Sequence, residues 1–341
     1  MTREISASIR TGHHTGARNG RQRPFRILAL DGGGIRGVAP AAFLAHIEQR
    51  LKEPICRYFD LIVGTSTGGI IALALSRGVP AKEITQLYRE RGGSIFARRM
   101  PILPKTLAMM VGPLYKSGPL HAELQRILGE DTLLGEARCR VCIPAVNTSS
   151  GHVVVFKTRH HVTFERDYQL PMWRIAAATA AAPTYFQPVH IPDCGWFVDG
   201  GLWANSPALV GMAEAVRLGY RPDEVEVLSI GTGRAPFCKE GAHRWRPWTS
   251  LRFGLLGWRT GLVDLVMRAQ TQRAINFTRY LMPDEHHVRV DFELPVSGAG
   301  LDAVHLTERL FHRAVSLAKE RSFEIRSRFF EGVTAPFEPI P

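Results

Sequence analysis

Ser66 stands in Gly64-Thr65-Ser66-Thr67-Gly68, a G-x-S-x-G set between the apolar run 58–63 and a helical pattern. A serine so placed rides a sharp strand-to-helix turn, its Oγ exposed at the carboxyl end of a parallel sheet and near a helix N-terminus. Five residues of this kind recur by chance, so the signal needs company. Two further glycine signatures supply it, Asp31-Gly32-Gly33-Gly34-Ile35-Arg36-Gly37 upstream and Asp199-Gly200-Gly201 downstream. Gly32, Gly33 and Gly34 would let backbone N–H groups approach a developing alkoxide without Cβ obstruction, and Arg36 would add positive charge beside them. Asp199, at the end of a short apolar run 195–198, offers a carboxylate able to take the serine proton directly. The chemistry these three signatures describe is acyl transfer without a histidine.

Each signature has a competing reading. The first loop also matches the dinucleotide fingerprint G-x-G-x-x-G, but the second strand should then end in an acidic residue for a ribose, and here it ends in the serine turn. Asp-Gly-Gly is an ordinary turn sequence, and only its place at a predicted strand end raises Asp199 above that. An ordinary α/β-hydrolase would order its triad Ser, Asp, His, making His243, His286 or His287 formal candidates. None of the three sits in a recognisable loop after the last strand, so they read as surface or cap residues.

The elements around the motifs are what such a site requires. Residues 25–30 form a β-rich run ending at the first glycine loop, and helical spacing follows over 38–51. Residues 58–63 repeat the strand before the serine turn, with a helix through Ile70, Ile71, Leu73 and Leu75. Two β-loop-α units in succession imply a parallel sheet covered by helices. Further helices are expected at 80–91, 120–128, 173–182 and 304–330, and strands at 140–146, 152–156, 224–230 and near Val288. Asn205-Ser206-Pro207 reads as a helix start, a cap residue and then proline in the first turn, opening a helix to Leu218. The segment 100–115, apolar and broken by prolines, reads as a buried cap ahead of an exposed lid.

Bulk properties bound the partners. Across 341 residues, 43 Lys plus Arg against 31 Asp plus Glu leave a net charge of +12, which favours anionic partners. Five cysteines, an odd number, point to a reducing compartment, and the lone pair Cys139 and Cys142 reads as strand core rather than a metal site. Residues 1–23 are polar and basic without an apolar segment, and are expected to be a flexible tail and no secretory signal. No run approaches the ~20 apolar residues of a membrane span, so membrane contact would be peripheral. The stretch from Trp245 to Trp258, with Arg246 and Arg252, is a candidate membrane or ligand face, balanced against core packing of its tryptophans. Residues 24–341 show no repeat and no linker and read as one domain.

Five blocks in order, Asp31-Gly32-Gly33-Gly34-Ile35-Arg36-Gly37, Gly64-Thr65-Ser66-Thr67-Gly68, Ala180-Ala181-Ala182-Pro183-Thr184-Tyr185-Phe186, the run from Asp199 to Pro207, and Ser229-Ile230-Gly231-Thr232-Gly233, resemble the patatin-like phospholipases. The resemblance implies a three-layer α/β/α fold with a mainly parallel sheet and a helical cap and C-terminal extension. It also implies a Ser66–Asp199 dyad, an oxyanion hole from Gly32 to Gly34, and lipid acyl hydrolysis with no metal or other cofactor. A second resemblance, resting on length, the block from Leu28 to Gly37 and the helical extension, is to the bacterial branch that serves as anti-phage (CBASS) effectors. There a cyclic dinucleotide switches on a membrane-degrading phospholipase, although no nucleotide-binding motif is visible here. The combined expectation is a cytoplasmic phospholipase, peripheral to the inner membrane when active, whose partners are the phospholipid surface and a cyclic dinucleotide rather than a nucleic-acid polymer. A homo-oligomer is compatible with it. The rival function is a nucleotide-binding sensor whose glycine loops cradle phosphate, with little or no hydrolase activity.

Overall fold

The computed structural model describes residues 23–234, 261–294 and 300–340. Most of the expected basic tail, His243 and the stretch from Trp245 to Trp258 lie outside them.

Alternation within the first strand sets the layers. In β1 (Phe25–Leu30) every residue is buried, with Phe25, Ile27 and Ala29 facing one side of the sheet and Leu28 and Leu30 the other. A strand covered on both faces must be apolar throughout, and this one departs from that only at Arg26. The Arg26 guanidinium donates to the carbonyls of Phe329, Glu331 and Gly332. After β1 come α1 (Val38–Glu48), β2 (Leu61–Gly64), α2 (Thr67–Arg77) and α3 (Ala81–Gln86), then a π turn (Leu87–Arg91) running into α4 (Gly92–Ile95). The expected strand over 58–63 is shorter than its apolar run because Ile55–Tyr58 is taken up in a 3₁₀ turn.

The chain continues through α5 (Lys105–Val111), α6 (Ser117–Leu128), β3 (Arg140–Asn147), β4 (Val153–Lys157), α7 (Met172–Ala180), β5 (Val189–Ile191) and β6 (Gly195–Asp199). Last come α8 (Gly201–Ala204), α9 (Ala208–Arg217), β7 (Val225–Ile230), α10 (Gly261–Leu281), β8 (His287–Val290) and α11 (Thr307–Phe329). The sheet runs β5-β6-β3-β2-β1-β7-β8, with β4 on the free side of β3. The central pairs β3-β2-β1-β7-β8 are parallel and the pairs of β3 with β4 and β6 antiparallel. One face carries α9, whose Ala208, Met212 and Ala215 pack on Ile27, Val63 and Val227. The other carries the larger core built with α1, α2, α7 and α11. This is the three-layer α/β/α arrangement that the resemblance implies.

Two expectations change. The helix foreseen from Asn205 begins at Ala208, with Pro207 at its N-cap and no side-chain cap, and the Asn205 side chain is turned to α10, where its amide donates to Thr271 Oγ1 at 2.7 Å. The short helix α8 precedes it. The segment 100–115 is neither wholly buried nor wholly exposed: Ala108, Leu114 and Tyr115 are buried, whereas Ile102 is 95% and Val111 68% exposed, with Leu107 also open to solvent. Cys139 and Cys142 are core residues as expected.

Candidate active site

Ser66 is delivered by β2, and the edge that β2 shares with β3 explains how it meets Asp199. β2 pairs with β3 from Leu61 opposite Arg140 to Val63 opposite Cys142, then turns away at Gly64. From Ala145 onward the same edge of β3 is taken by β6, with Ala145 opposite Asp199. The strand carrying the carboxylate thus begins where the strand carrying the serine leaves, and Ser66 Oγ donates to Asp199 Oδ2 at 2.7 Å.

The turn is tight. Ser66 has φ 56° and ψ −125°, a left-handed region costly to a residue with a side chain, on the order of 1–3 kcal/mol. Packing on both sides holds it there. Gly64 and Gly68 close upon each other, so a Cβ on Gly64 would meet the Gly68 carbonyl at 2.1 Å. The Ser66 amide donates to Thr179 Oγ1 at 2.9 Å, and Thr179 Oγ1 donates to the Pro144 carbonyl at 2.6 Å, tying the turn to α7 and β3. Thr179 was not legible as a site residue, since a threonine inside an alanine-rich helix gives no signal of its own.

Asp199 is 1% exposed and accepts two hydrogen bonds, from Ser66 and, on Oδ1, from the Gly201 amide at 2.7 Å. Burial pushes its carboxyl up to about 7, against the opposing pull of those two donors. A carboxylate poised near neutrality is what a general base working without histidine needs.

A family model described as patatin-like phospholipase matches residues 28–212, which contain this whole arrangement. The chain belongs to that family. A cGAMP-activated phospholipase of Pseudomonas aeruginosa (strain BWHPSA011 / Pa011) is 37% identical over 303 residues, covering 87% of this chain and 86% of that protein. A second protein of that name, from Vibrio cholerae, is 39% identical over 226 residues, 61% of this chain and 64% of the relative's length. Patatin-like protein 4 of Arabidopsis thaliana is 34% identical over 240 residues, 61% of this chain and 59% of its own. The match thus spans less than two thirds of the Vibrio and Arabidopsis relatives.

The glycine loop lies beside the pair as expected, with one correction. Gly32 faces Ser66, but its amide already donates to the Asn205 carbonyl at 2.9 Å and its carbonyl accepts from Thr232 Oγ1 at 2.9 Å. Gly32 is therefore the pin of the loop, and its N–H is not available to an oxyanion. The amides of Gly33 and Gly34 have no backbone acceptor among the described residues. Gly34 takes φ +60°, and a Cβ there would meet the Leu301 carbonyl at 2.2 Å, so only glycine fits. Arg36 is buried, and its Nε donates to the Gly33 carbonyl at 3.2 Å. Across that trans peptide the Gly34 N–H points the opposite way, so Arg36 acts on the loop by orienting an amide.

Asp31, ahead of the glycines, is held by Arg289 at 2.6 Å, and Arg289 also grips Asp291 at 2.7 Å and Ser229 Oγ at 2.7 Å. This buried network fixes the carboxyl ends of β1, β7 and β8 together. His287 does not reach the site: it pairs opposite Val227 at the amino end of β8, whereas the motifs sit at the carboxyl ends. His286 precedes it in a 3₁₀ turn.

An apolar cavity opens from Ser66, lined among others by Gly34, Ile70, Leu87, Ile95, Phe186 and Leu301. Tyr88, in the π turn, also lines it and hydrogen-bonds Thr67. Such turns recur at functional sites. Among the described residues one group has metal-ligand character, Cys142, His160 and Glu214. It lies beneath α9 rather than in the Ser66 cavity, and Lys157 already pairs with Glu214.

Proposed function

We propose that the protein is a phospholipase of the A type, in which Ser66 attacks a membrane lipid ester and Asp199 is the base. The observation that carries this is the 2.7 Å contact between Ser66 Oγ and Asp199 Oδ2 at the mouth of an apolar cavity. Asp199 takes the hydroxyl proton as Oγ bonds to the carbonyl carbon, and returns it to the leaving lysolipid oxygen. An acyl-enzyme remains on Ser66. Asp199 then deprotonates water, which releases the fatty acid and restores the serine. The Gly33 and Gly34 amides hold the oxyanion in both halves; a single donor of this kind contributes roughly 3 to 4 kcal/mol to the barrier. The acyl chain enters the cavity between Ile70, Ile95 and Phe186, which at about 40 Å³ must widen to take it.

The surface that meets lipid is the cap. Leu107 and Val111 lie one turn apart on α5 and are exposed, with Ile102 beside them in sequence. No described helix is long and apolar enough to cross a membrane, so this contact is peripheral. The cap is fastened through Lys105 and Tyr115, both of which hydrogen-bond Asp302. Next to Asp302, the Leu301 carbonyl accepts from Ile35 of the glycine loop at 2.8 Å. Cap and oxyanion loop thus meet at one dipeptide. Freeing the cap from it admits lipid, a change a modest population shift can drive.

Activation by a cyclic dinucleotide follows from the names of the bacterial relatives, and it supplies the control a membrane-degrading enzyme requires. Mixed phospholipid vesicles incubated with the protein, with and without cGAMP, test the whole reading through mass analysis of the released lipids. Free fatty acid and lysolipid rising saturably with cGAMP are expected. Nucleotide binding with no lipid product would favour the sensor reading and overturn this one.

A further inference from the structure

On the face of the sheet away from the acyl cavity, α8, α9, α10 and β4 enclose a groove of about 520 Å³, within the roughly 300–1,000 Å³ of small-ligand sites. Its polar lining is Lys157, Ser206, Glu214, Arg217, Gln270 and Arg273, and Trp203 forms part of its wall. Lys157 and Glu214 neutralise each other. Among the described residues the two arginines have no such partner. Arg217 bonds the neutral Thr163 hydroxyl at 2.9 Å and lies over the Phe164 ring, while Arg273 bonds Gln270 Oε1 at 3.5 Å and lies over Phe277. Neither guanidinium meets a carboxylate among the described residues. Trp203 is half-buried, its indole N–H spent on the Ala145 carbonyl at 3.0 Å, so the ring is a fixed plate.

We infer that this groove is the binding site for the activating cyclic dinucleotide. Two uncompensated guanidiniums match two phosphodiesters, and a fixed indole with a neighbouring carboxamide suits a base face and edge. The inference rests on the cyclic-dinucleotide activation proposed above, and it adds a place and a route.

The route is α10. Met267 of α10 packs so closely on Gly201 that a Cβ there would lie 2.3 Å from its methyl, and Gly201 is the residue whose amide holds Asp199. One turn later Thr271 takes the Asn205 amide at 2.7 Å, and the Asn205 carbonyl holds Gly32. Gln270 and Arg273 reach the groove from the same turns of α10. A ligand drawing Arg273 toward Arg217 sets α10 against α8 and, through Gly201 and Asn205, adjusts the base and the glycine loop together.

The test uses the full-length protein, calorimetric titration with cGAMP, and vesicle hydrolysis, on wild type, R217E/R273E, R217K/R273K and the exposed charge-matched control R50E/R126E. Thermal unfolding verifies that each variant is folded. Loss of a charge-assisted contact costs roughly tenfold in affinity or more, so charge reversal should weaken cGAMP binding at least that much and shift the activation curve equally. The lysine pair should fall between it and wild type, and the control should match wild type. If wild type binds cGAMP and is activated while folded R217E/R273E titrates identically, the groove is wrong and the activation reading stands. If wild type hydrolyses vesicles but neither binds nor responds to cGAMP, the activation reading fails and the groove assignment with it. Displacement of cGAMP by equimolar inorganic phosphate would mark a general anion groove and also overturn the assignment.

Discussion

Replacing Asp199 by Asn should abolish hydrolysis and at the same time make the protein more stable at neutral and alkaline pH. Its carboxyl is 1% exposed, and its hydrogen bonds come from the neutral Ser66 hydroxyl and Gly201 amide. Between its ordinary value of 3.8 and its folded value of about 7, the native state holds a proton that the unfolded chain has released. Stability therefore falls as pH rises through that window, and above it the cost is fully present. Three pH units at about 1.4 kcal/mol each make that cost roughly 4 kcal/mol. An asparagine keeps both bonds, its Oδ1 accepting from Gly201 and its Nδ2 donating to Ser66 Oγ, but carries no charge. Thermal unfolding near pH 8 should thus show a midpoint several degrees higher for Asp199→Asn, with the gain disappearing toward about pH 4. The wild-type rate should in turn fall about tenfold per unit below pH 7 as the base is protonated. An Asp199→Asn protein no more stable than wild type near pH 8, or one that still hydrolyses ester, would refute the reasoning.

Ser66→Ala should also abolish turnover, and Ser66→Ala/Asp199→Asn should be little worse than either alone, because nucleophile and base act as one unit; additive losses in a kinetic comparison would break the dyad assignment. Hydrolysis should survive EDTA, since the described metal-like group of Cys142, His160 and Glu214 lies outside the Ser66 cavity; activity lost to EDTA and restored by calcium would contradict this. Leu107→Glu with Val111→Glu should reduce binding to anionic vesicles several-fold without moving the unfolding midpoint by more than about a degree, as expected at exposed positions; unchanged sedimentation with vesicles would remove α5 from the membrane contact.

Local patterns made the scaffold legible in the sequence. β1 begins and ends at the predicted residues because a strand buried on both faces is apolar almost throughout, Arg26 excepted, and the turn after β2 is legible because Gly64 and Gly68 must lie on either side of a strained serine. What stayed hidden depends on partners distant in the chain. Nothing near Asn205 tells that its side chain will bond Thr271 rather than cap a helix, or that its carbonyl will consume the Gly32 amide. The grip of Arg289 on Asp31 spans 258 residues, and Arg36, expected to lend charge, bonds a carbonyl three residues back. The groove carried no motif for the same reason, since Lys157, Trp203, Arg217 and Arg273 come from β4, α8, α9 and α10.

In the proposed mechanism the run from Asp199 to Asn205 gathers three functions into seven residues: the proposed base, the Gly201 amide that holds it, and the Asn205 carbonyl that pins the glycine loop. α8 joins them as a single short helical turn, so a shift of α8 would reach Asp199 and the glycine loop together. Burial above all raises the Asp199 carboxyl, and the bonds from Ser66 and Gly201 oppose it. On the proposed reading, losing the Gly201 bond would raise the carboxyl further and leave less base at neutral pH. α10 bears on Gly201 and Asn205 at once, so on the proposed route a displacement of that helix would tune the protonation of Asp199 and the aim of the Gly33 and Gly34 amides in the same step. On this proposal the site is switched from the opposite face of the sheet, and the activating ligand never touches the lipid.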